Sequence, residues 1–381
     1  MIPRTLFSDE HEMFRTSVRR FIETEIMPYH AEWEKVGMVP RELWRKAGAA
    51  GLLCTNVPEQ YGGPGAGFLY NVVIAEELGR AGATGPGFTV HSDMVASYIL
   101  SFGTHEQKQQ WLPGMVSGDI VGALGLTEPG GGSDLKALRT RAVRDGSDYV
   151  IDGQKTYISN GQLCDIIVLA CKTDPAAGAK GVSLVVVEAS RQGFERGRRL
   201  EKLGLKAQDT SEMFFNAVRV PVANRLGDEG GGFKMAMHKL AHERLIIAVN
   251  AVAICEAVLS WTVAYTKDRK AFGKAIAEFQ NTRFKIAELT GQVQGVRVFV
   301  DRCIELALTN ELDSTDAAML KMVATEQQCR TVDECLQFFG GYGYMLEYPI
   351  ARAYIDTRVR RIAGGSSEVM REIISRKVFA D

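Results

Sequence analysis

The chain predicts an α+β fold in three parts: a helical N-terminal domain, a middle β domain and a C-terminal four-helix bundle. Two changes of hydrophobic period and the length of the final apolar-periodic segments carry this prediction. From about Asp9 to Gly118 apolar residues recur at helical spacing. From Ile120 to about Arg225 they alternate or run together as strands do, and from Gly230 onward the helical period returns. The boundaries that follow are 1–118, 119–226 and 227–381.

In the first part Phe14, Val18, Phe21 and Ile22 share one helix face, Leu43, Ala47 and Leu52 a second, and Val72, Ala75 and Leu78 a third. Pro58, Gly62, Gly63, Pro64 and Gly65 mark a loop between helices. In the second part the strand candidates are Ile120–Leu126, Tyr149–Ile151, Ile166–Ala170, Val182–Val187 and Met213–Phe215, separated by turn residues. The third part offers long helices near 231–267, 278–309, 314–339 and 349–378, whose short joins suit an antiparallel bundle.

Composition narrows the function. With 381 residues the chain can bury two or three substantial cores. Its 45 basic and 46 acidic residues leave a net charge of −1 and no basic block, which argues against nucleic acid as a partner. Seven cysteines without a C-x-x-C pair argue against a disulfide framework or a zinc site, so no metal is expected. The start, Met1 to Glu10, lacks a secretory apolar region, and no apolar run approaches a membrane-crossing length of roughly 20 residues. A cytoplasmic protein with no membrane span is expected.

The segment Leu126 to Asp134, Leu-Thr-Glu-Pro-Gly-Gly-Gly-Ser-Asp, says most about chemistry. Its glycines put bare backbone N–H groups on view where a strand edge meets a cleft, with Thr127 and Ser133 adding hydroxyls. Taken alone it reads equally well as a surface turn. Three further segments stand in order behind it: Asp152 to Gly161, Arg269 to Lys274, and Gln337 to Tyr344.

Together, in this order and spacing, these four segments resemble the acyl-CoA dehydrogenase family of flavoenzymes over essentially the whole chain, and within it the long-chain type. The resemblance implies FAD as cofactor, an acyl-CoA substrate, an electron-transferring flavoprotein as acceptor, and a homo-oligomer, a tetramer built as a dimer of dimers. It implies that Leu124, Leu126, Thr127, Gly132 and Ser133 lie against the flavin and pyrophosphate. Tyr157 and Ser159 would take the other side, Tyr157 standing where the family commonly has tryptophan. Ser366 and Glu368 join this cofactor set, and Ser133 also reaches substrate. Arg269, Phe272, Gln280, Gln337 and Gly341 would meet the adenosine half of a neighbour's FAD. On local sequence alone, Tyr157 reads as core packing, Arg269 as a solvated charge at a helix end, and Gly340-Gly341 as a helix stop.

One departure is informative. Many family members carry Tyr-Glu-Gly-Thr near the C-terminus, with the glutamate as the base that takes the substrate's α-proton; here Ala363-Gly364-Gly365-Ser366 stands instead. A minority of the family, the long-chain and isovaleryl-CoA dehydrogenases among them, supplies the base from the first bundle helix, at the position of Glu243. The residues support this independently. From Leu245 to Trp261 only Asn250, Glu256 and Ser260 are polar, so a carboxylate beside this run is partly desolvated and a better base. The competing reading makes Glu243 and Arg244 a charged collar with Lys239 and His242. Arg244, Gly364 and Gly365 join Glu243 as expected substrate contacts, Gly364 through its backbone N–H. Met94, Ala96, Tyr98 and Leu100 are expected in the far wall of the acyl pocket. Medium-to-long straight chains are the favoured substrate and branched acyl-CoA (isovaleryl- or citronellyl-like) the alternative. An acyl-thioester oxidase, a dehydrogenase of carrier-protein thioesters and a non-catalytic assembly relative are the rival classes.

Overall fold

The computed structural model describes residues 2–134 and 137–380. Helix α1 (Asp9–Phe21) runs through a π-helical turn into α2 (Met27–Val36), which stops at Gly37 in the left-handed region, φ 82°. Helices α3 (Arg41–Ala49) and α4 (Phe68–Ala81) follow. A second π-helical stretch, Val90–Ala96, leads into α5 (Ser97–Phe102). Helix α6 (His105–Ser117) opens on a capping box in which Gln107 N donates to Thr104 Oγ1 and Thr104 N to Gln107 Oε1.

The middle part is one eight-stranded sheet of β1 (Gly122–Gly125), β2 (Arg141–Asp145), β3 (Asp148–Ser159), β4 (Ile166–Lys172), β5 (Val182–Glu188), β6 (Phe194–Arg199), β7 (Thr210–Pro221) and β8 (Arg225–Leu226). The order is β6-β7-β3-β2-β4-β5-β8, with β1 parallel to β4. Strands β4 and β5 are almost wholly buried, which is why they read as continuous apolar runs. The charged strands β2 and β6 carry no such run and are set by pairing to β3 and β7.

Helix α7 (Gly232–Asp268) spans the molecule, and the hairpin β9 (Lys270–Ala271) and β10 (Lys274–Ala275) turns the chain into α8 (Gln280–Leu308) and α9 (Ser314–Phe339). Two expectations need correction here. The segment 349–378 is two helices, α10 (Pro349–Thr357) and α11 (Ser367–Val378), because Gly364 and Gly365 hold φ of 68° and 96° and Ser366 caps a new start. Also, α7 is long and apolar enough to cross a membrane by length and composition, yet 78% of that window is buried in the bundle, so it is a core helix. The N-terminal domain is fastened to this bundle by buried Glu76 of α4, which pairs with Arg4, Arg15 and Arg297, each at 2.8 Å.

Candidate functional site

Strand β1 delivers Leu124 and then Leu126 and Thr127, all half-buried, to the sheet edge. Beyond them Glu128 and Gly131 exchange both backbone hydrogen bonds, at 3.0 and 3.1 Å, closing a tight turn through Pro129 and Gly130. Gly132 and Ser133 follow on the exposed side. The turn is anchored from inside. The Glu128 carboxylate accepts from Arg139 N at 2.7 Å, Thr140 N at 3.0 Å and Lys155 Nζ at 2.8 Å, and Lys155 also donates to the Leu126 carbonyl. Burial alone would raise the Glu128 carboxyl, but Lys155 and these donors outweigh it and hold it below the ordinary value. Neither Glu128 nor Lys155 was among the expected site residues. A lysine at an inward position of a strand, here wholly buried, is the signal that marks such a pair.

Thr156 N donates to the Thr127 carbonyl at 3.0 Å, so the glycine loop and β3 meet, bringing two of the sequence motifs together. Directly after, β3 bulges: Lys155 faces Met213 while Ile158 faces Ser211, one residue too many on the β3 side. The extra residue turns Tyr157 into the left-handed region, φ 59°, and leaves its ring 70% exposed beside the loop. The reading of Tyr157 as core packing is therefore wrong. Ser159 is half-buried on the same strand.

A second group of expected residues lies on α7 and at the break before α11. Glu243 is 4% exposed, and its Oε1 has no hydrogen-bond partner among the described residues. Burial pushes its carboxyl up to about 7, against the opposing pull of the Tyr98 hydroxyl, Arg244 and Lys239. The charged-collar reading fails on this burial. Tyr98, expected in the far wall of the acyl pocket, pulls on the titration of this carboxyl. Arg244 Nε approaches the Gly364 carbonyl at 3.5 Å, and Lys321 Nζ donates to the Gly365 carbonyl at 2.6 Å, tying the turn to α7 and α9. Ser366 Oγ accepts from Val369 N as cap of α11. Glu368 is unlike Glu243: its side chain is 76% exposed, and its own backbone N–H and Ser366 hold its carboxyl below the usual range.

Gly364 also explains why no side chain occupies that position. A Cβ there would sit 2.6 Å from Ile247 Cδ1, one turn along α7 from Glu243, and φ is 68°. Gly364→Ala is expected to destabilise the chain by about 1–2 kcal/mol through the left-handed backbone alone. Urea denaturation checks this; an unchanged midpoint would show that the turn relaxes freely.

The remaining expected residues form a second cluster. Arg269 follows α7 and lies 5.7 Å from the Tyr342 ring centroid; Phe272 on the hairpin is 96% exposed with φ 54°; Gln280 is exposed at the start of α8, and Gln337 and Gly341 are exposed at the end of α9 and just beyond it. At about 1.5 Å per residue, Arg269 is roughly 39 Å along α7 from Glu243. The structure therefore does not bring this set to the Glu243 cleft of the same chain.

Comparison with known proteins agrees with this geometry. Family models described as the N-terminal, middle and C-terminal domains of acyl-CoA dehydrogenase match residues 8–119, 123–218 and 230–379. The mitochondrial long-chain specific acyl-CoA dehydrogenase of Rattus norvegicus is 47% identical over 380 residues, covering 99% of this chain and 88% of that protein. The crystal structure of an acyl-CoA dehydrogenase from Geobacillus kaustophilus is 47% identical with a TM-score of 0.97, over 99% of this chain and 100% of that one. A glutaryl-CoA dehydrogenase from Mycobacterium smegmatis in complex with FADH2 is 28% identical with a TM-score of 0.92, over 99% and 96%. With its loop, bulge and α7 carboxyl in place on a helical, β, helical frame, the chain belongs to the acyl-CoA dehydrogenase family, FAD-dependent oxidoreductases acting on acyl-CoA.

Proposed function

We propose that the chain oxidises medium-to-long straight acyl-CoA thioesters to trans-2-enoyl-CoA, with Glu243 as the base. The observation that carries this is the buried Glu243 carboxyl, its Oε1 without a partner among the described residues, beside a glycine turn where a side chain would meet Ile247. Glu243 Oε1 takes the α-proton of the acyl chain, and the C–H electron pair becomes the Cα=Cβ bond as hydride leaves Cβ. FAD held by the residues named below would supply the hydride acceptor. The Gly364 N–H donates to the thioester oxygen where enolate charge develops, and Gly365 flanks it. Arg244 approaches the Gly364 carbonyl and helps to fix the turn that carries this N–H.

Leu124, Leu126, Thr127, Gly132 and Ser133 are the residues to hold one side of the cofactor, with Tyr157 and Ser159 opposite and Ser366 and Glu368 at the α11 end. The exposed Tyr157 ring and the bare loop suit a flat polar-edged ring system. Arg269 lies at the far end of α7 from Glu243, and with Phe272, Gln280, Gln337 and Gly341 it would close a neighbour's cofactor in a homotetramer. An electron-transferring flavoprotein is the acceptor, and the seven free cysteines suit a reducing cytoplasm. Identity to a long-chain relative supports the chain length; branched acyl-CoA is the second reading, since base placement on α7 is shared with that group.

Anaerobic mixing of the holoenzyme with acyl-CoAs from short branched to long straight tests this. Flavin bleaching is expected to be fastest with long straight chains, and a maximum at branched chains would replace the substrate assignment. Rapid reoxidation of the flavin in air would make it an oxidase. Because the base must be ionised, turnover is expected to rise with pH through about 7 and level off above it. A rate flat between pH 5.5 and 8.5 would remove Glu243 as the titrating group.

A further inference from the structure

We propose that Tyr98 is a positioning residue for Glu243: its hydroxyl donates to the ionised carboxylate and holds Oε1 toward the acyl chain. The inference rests on the reading of Glu243 as base. Tyr98 Oη and Glu243 Oε1 are both buried oxygens without a hydrogen-bond partner among the described residues, on helices α5 and α7 that pack against each other, and the hydroxyl lies near enough to pull on the carboxyl's titration. A buried polar atom left unpaired costs about 1–3 kcal/mol. Two such atoms on packed helices satisfy each other when the hydroxyl donates to the carboxylate as an anion.

The fold aims Tyr98 at this spot. The π-helical stretch Val90–Ala96 ends one residue before α5, and its wider turn resets the direction of every side chain after it. That stretch is itself fixed by buried His91, whose Nδ1 accepts from Gly122 N at 3.0 Å, leaving Nε2 to donate to the Met115 carbonyl at 2.9 Å. Burial, followed by the Glu243 charge, raises the Tyr98 phenol well above its ordinary value, so it stays a donor at every working pH.

The other charged groups that favour the Glu243 carboxylate, Arg244 and Lys239, stand on α7 itself. From α9, Lys321 faces Arg244, and from α4, Phe68 packs edge-on against the His242 ring. The 364–365 turn presents carbonyls to Arg244 and Lys321. Tyr98 is thus the neutral donor that reaches the carboxylate from a separate element, and Arg244 is already engaged by the Gly364 carbonyl.

The test compares native, Tyr98→Phe and Glu243→Gln holoenzymes in anaerobic flavin reduction by a saturating long-chain acyl-CoA from pH 5.5 to 9.5. In Tyr98→Phe the acidic limb is expected to move up by about one to two pH units, the size of one hydrogen bond to an ion. Its plateau rate falls by about ten- to a hundredfold, with KM and chain-length preference unchanged. An unmoved limb with altered KM or chain preference would make Tyr98 a wall of the acyl pocket and overturn the inference. If Glu243→Gln still bleaches, the base assignment fails; if it does not and the Tyr98→Phe limb stays put, only the Tyr98 role fails. Should Tyr98→Phe lose its flavin, infrared difference spectra of native against Glu243→Gln decide: a tyrosine band changing in step with Glu243 ionisation supports the contact, and its absence overturns it.

Discussion

Glu243→Gln is expected to cut the rate of flavin reduction by acyl-CoA by about 10²- to 10⁴-fold while FAD stays bound. The substitution keeps shape and removes only the proton acceptor. None of the contacts that hold the glycine loop, from Glu128, Lys155 and Thr156, involves residue 243. The same change has a second, opposite signature in stability. The native carboxyl titrates near 7 in the folded chain, above its unfolded value, so between those two values the folded state holds the extra proton and stability falls as pH rises. Glutamine has no such proton to lose. The variant should therefore melt above the native chain at pH 8 by an amount on the order of 3 kcal/mol, and the difference should vanish near pH 4. A variant that is dead and more stable at pH 8 is what a strained, buried base predicts. A dead variant with unchanged stability at both pH values points to a misplaced side chain instead.

The architecture was legible because period and length decide it: α7, α8, α9 and the buried strands β4 and β5 all show their pattern in one dimension. Glu243 was legible for a related reason, since the mostly apolar run Leu245–Trp261 beside a carboxylate implies burial. What escaped depends on pairing across the chain. The bulge that exposes Tyr157 is a mismatch between β3 and β7, and nothing in either strand alone counts the extra residue. Tyr98 follows a π-helical stretch, so ordinary helical spacing does not give the face of α5 on which it lies. The break at Gly364 and Gly365 was visible as composition, yet its geometry is fixed by Ile247, Arg244 and Lys321 from two other helices.

Lys155→Met is expected to cost about 3–5 kcal/mol and to strip FAD from the protein, the largest structural effect of any single change in the cleft. Lys155 is wholly buried and carries the only charge that meets Glu128 among its described partners, so its loss leaves a carboxylate facing two backbone N–H groups and no cation. The Leu126 carbonyl loses its donor in the same stroke, and Leu126 and Thr127 are the residues proposed to face the flavin. Pairing the change with Glu128→Gln removes the stranded charge and should restore part of the stability, because replacing both partners is far less costly than breaking the pair. FAD occupancy, read from flavin absorbance per chain, should recover less than stability does, since the donor to Leu126 stays missing. The pH response of the native chain follows from the same pair. The Glu128 carboxyl is held below its unfolded value, so the stability it contributes is present above that value and is lost as pH falls through the folded one, and FAD should loosen on acidification before the bundle unfolds. Full flavin occupancy and an unchanged urea midpoint in Lys155→Met would show that the loop is held by its backbone turn alone.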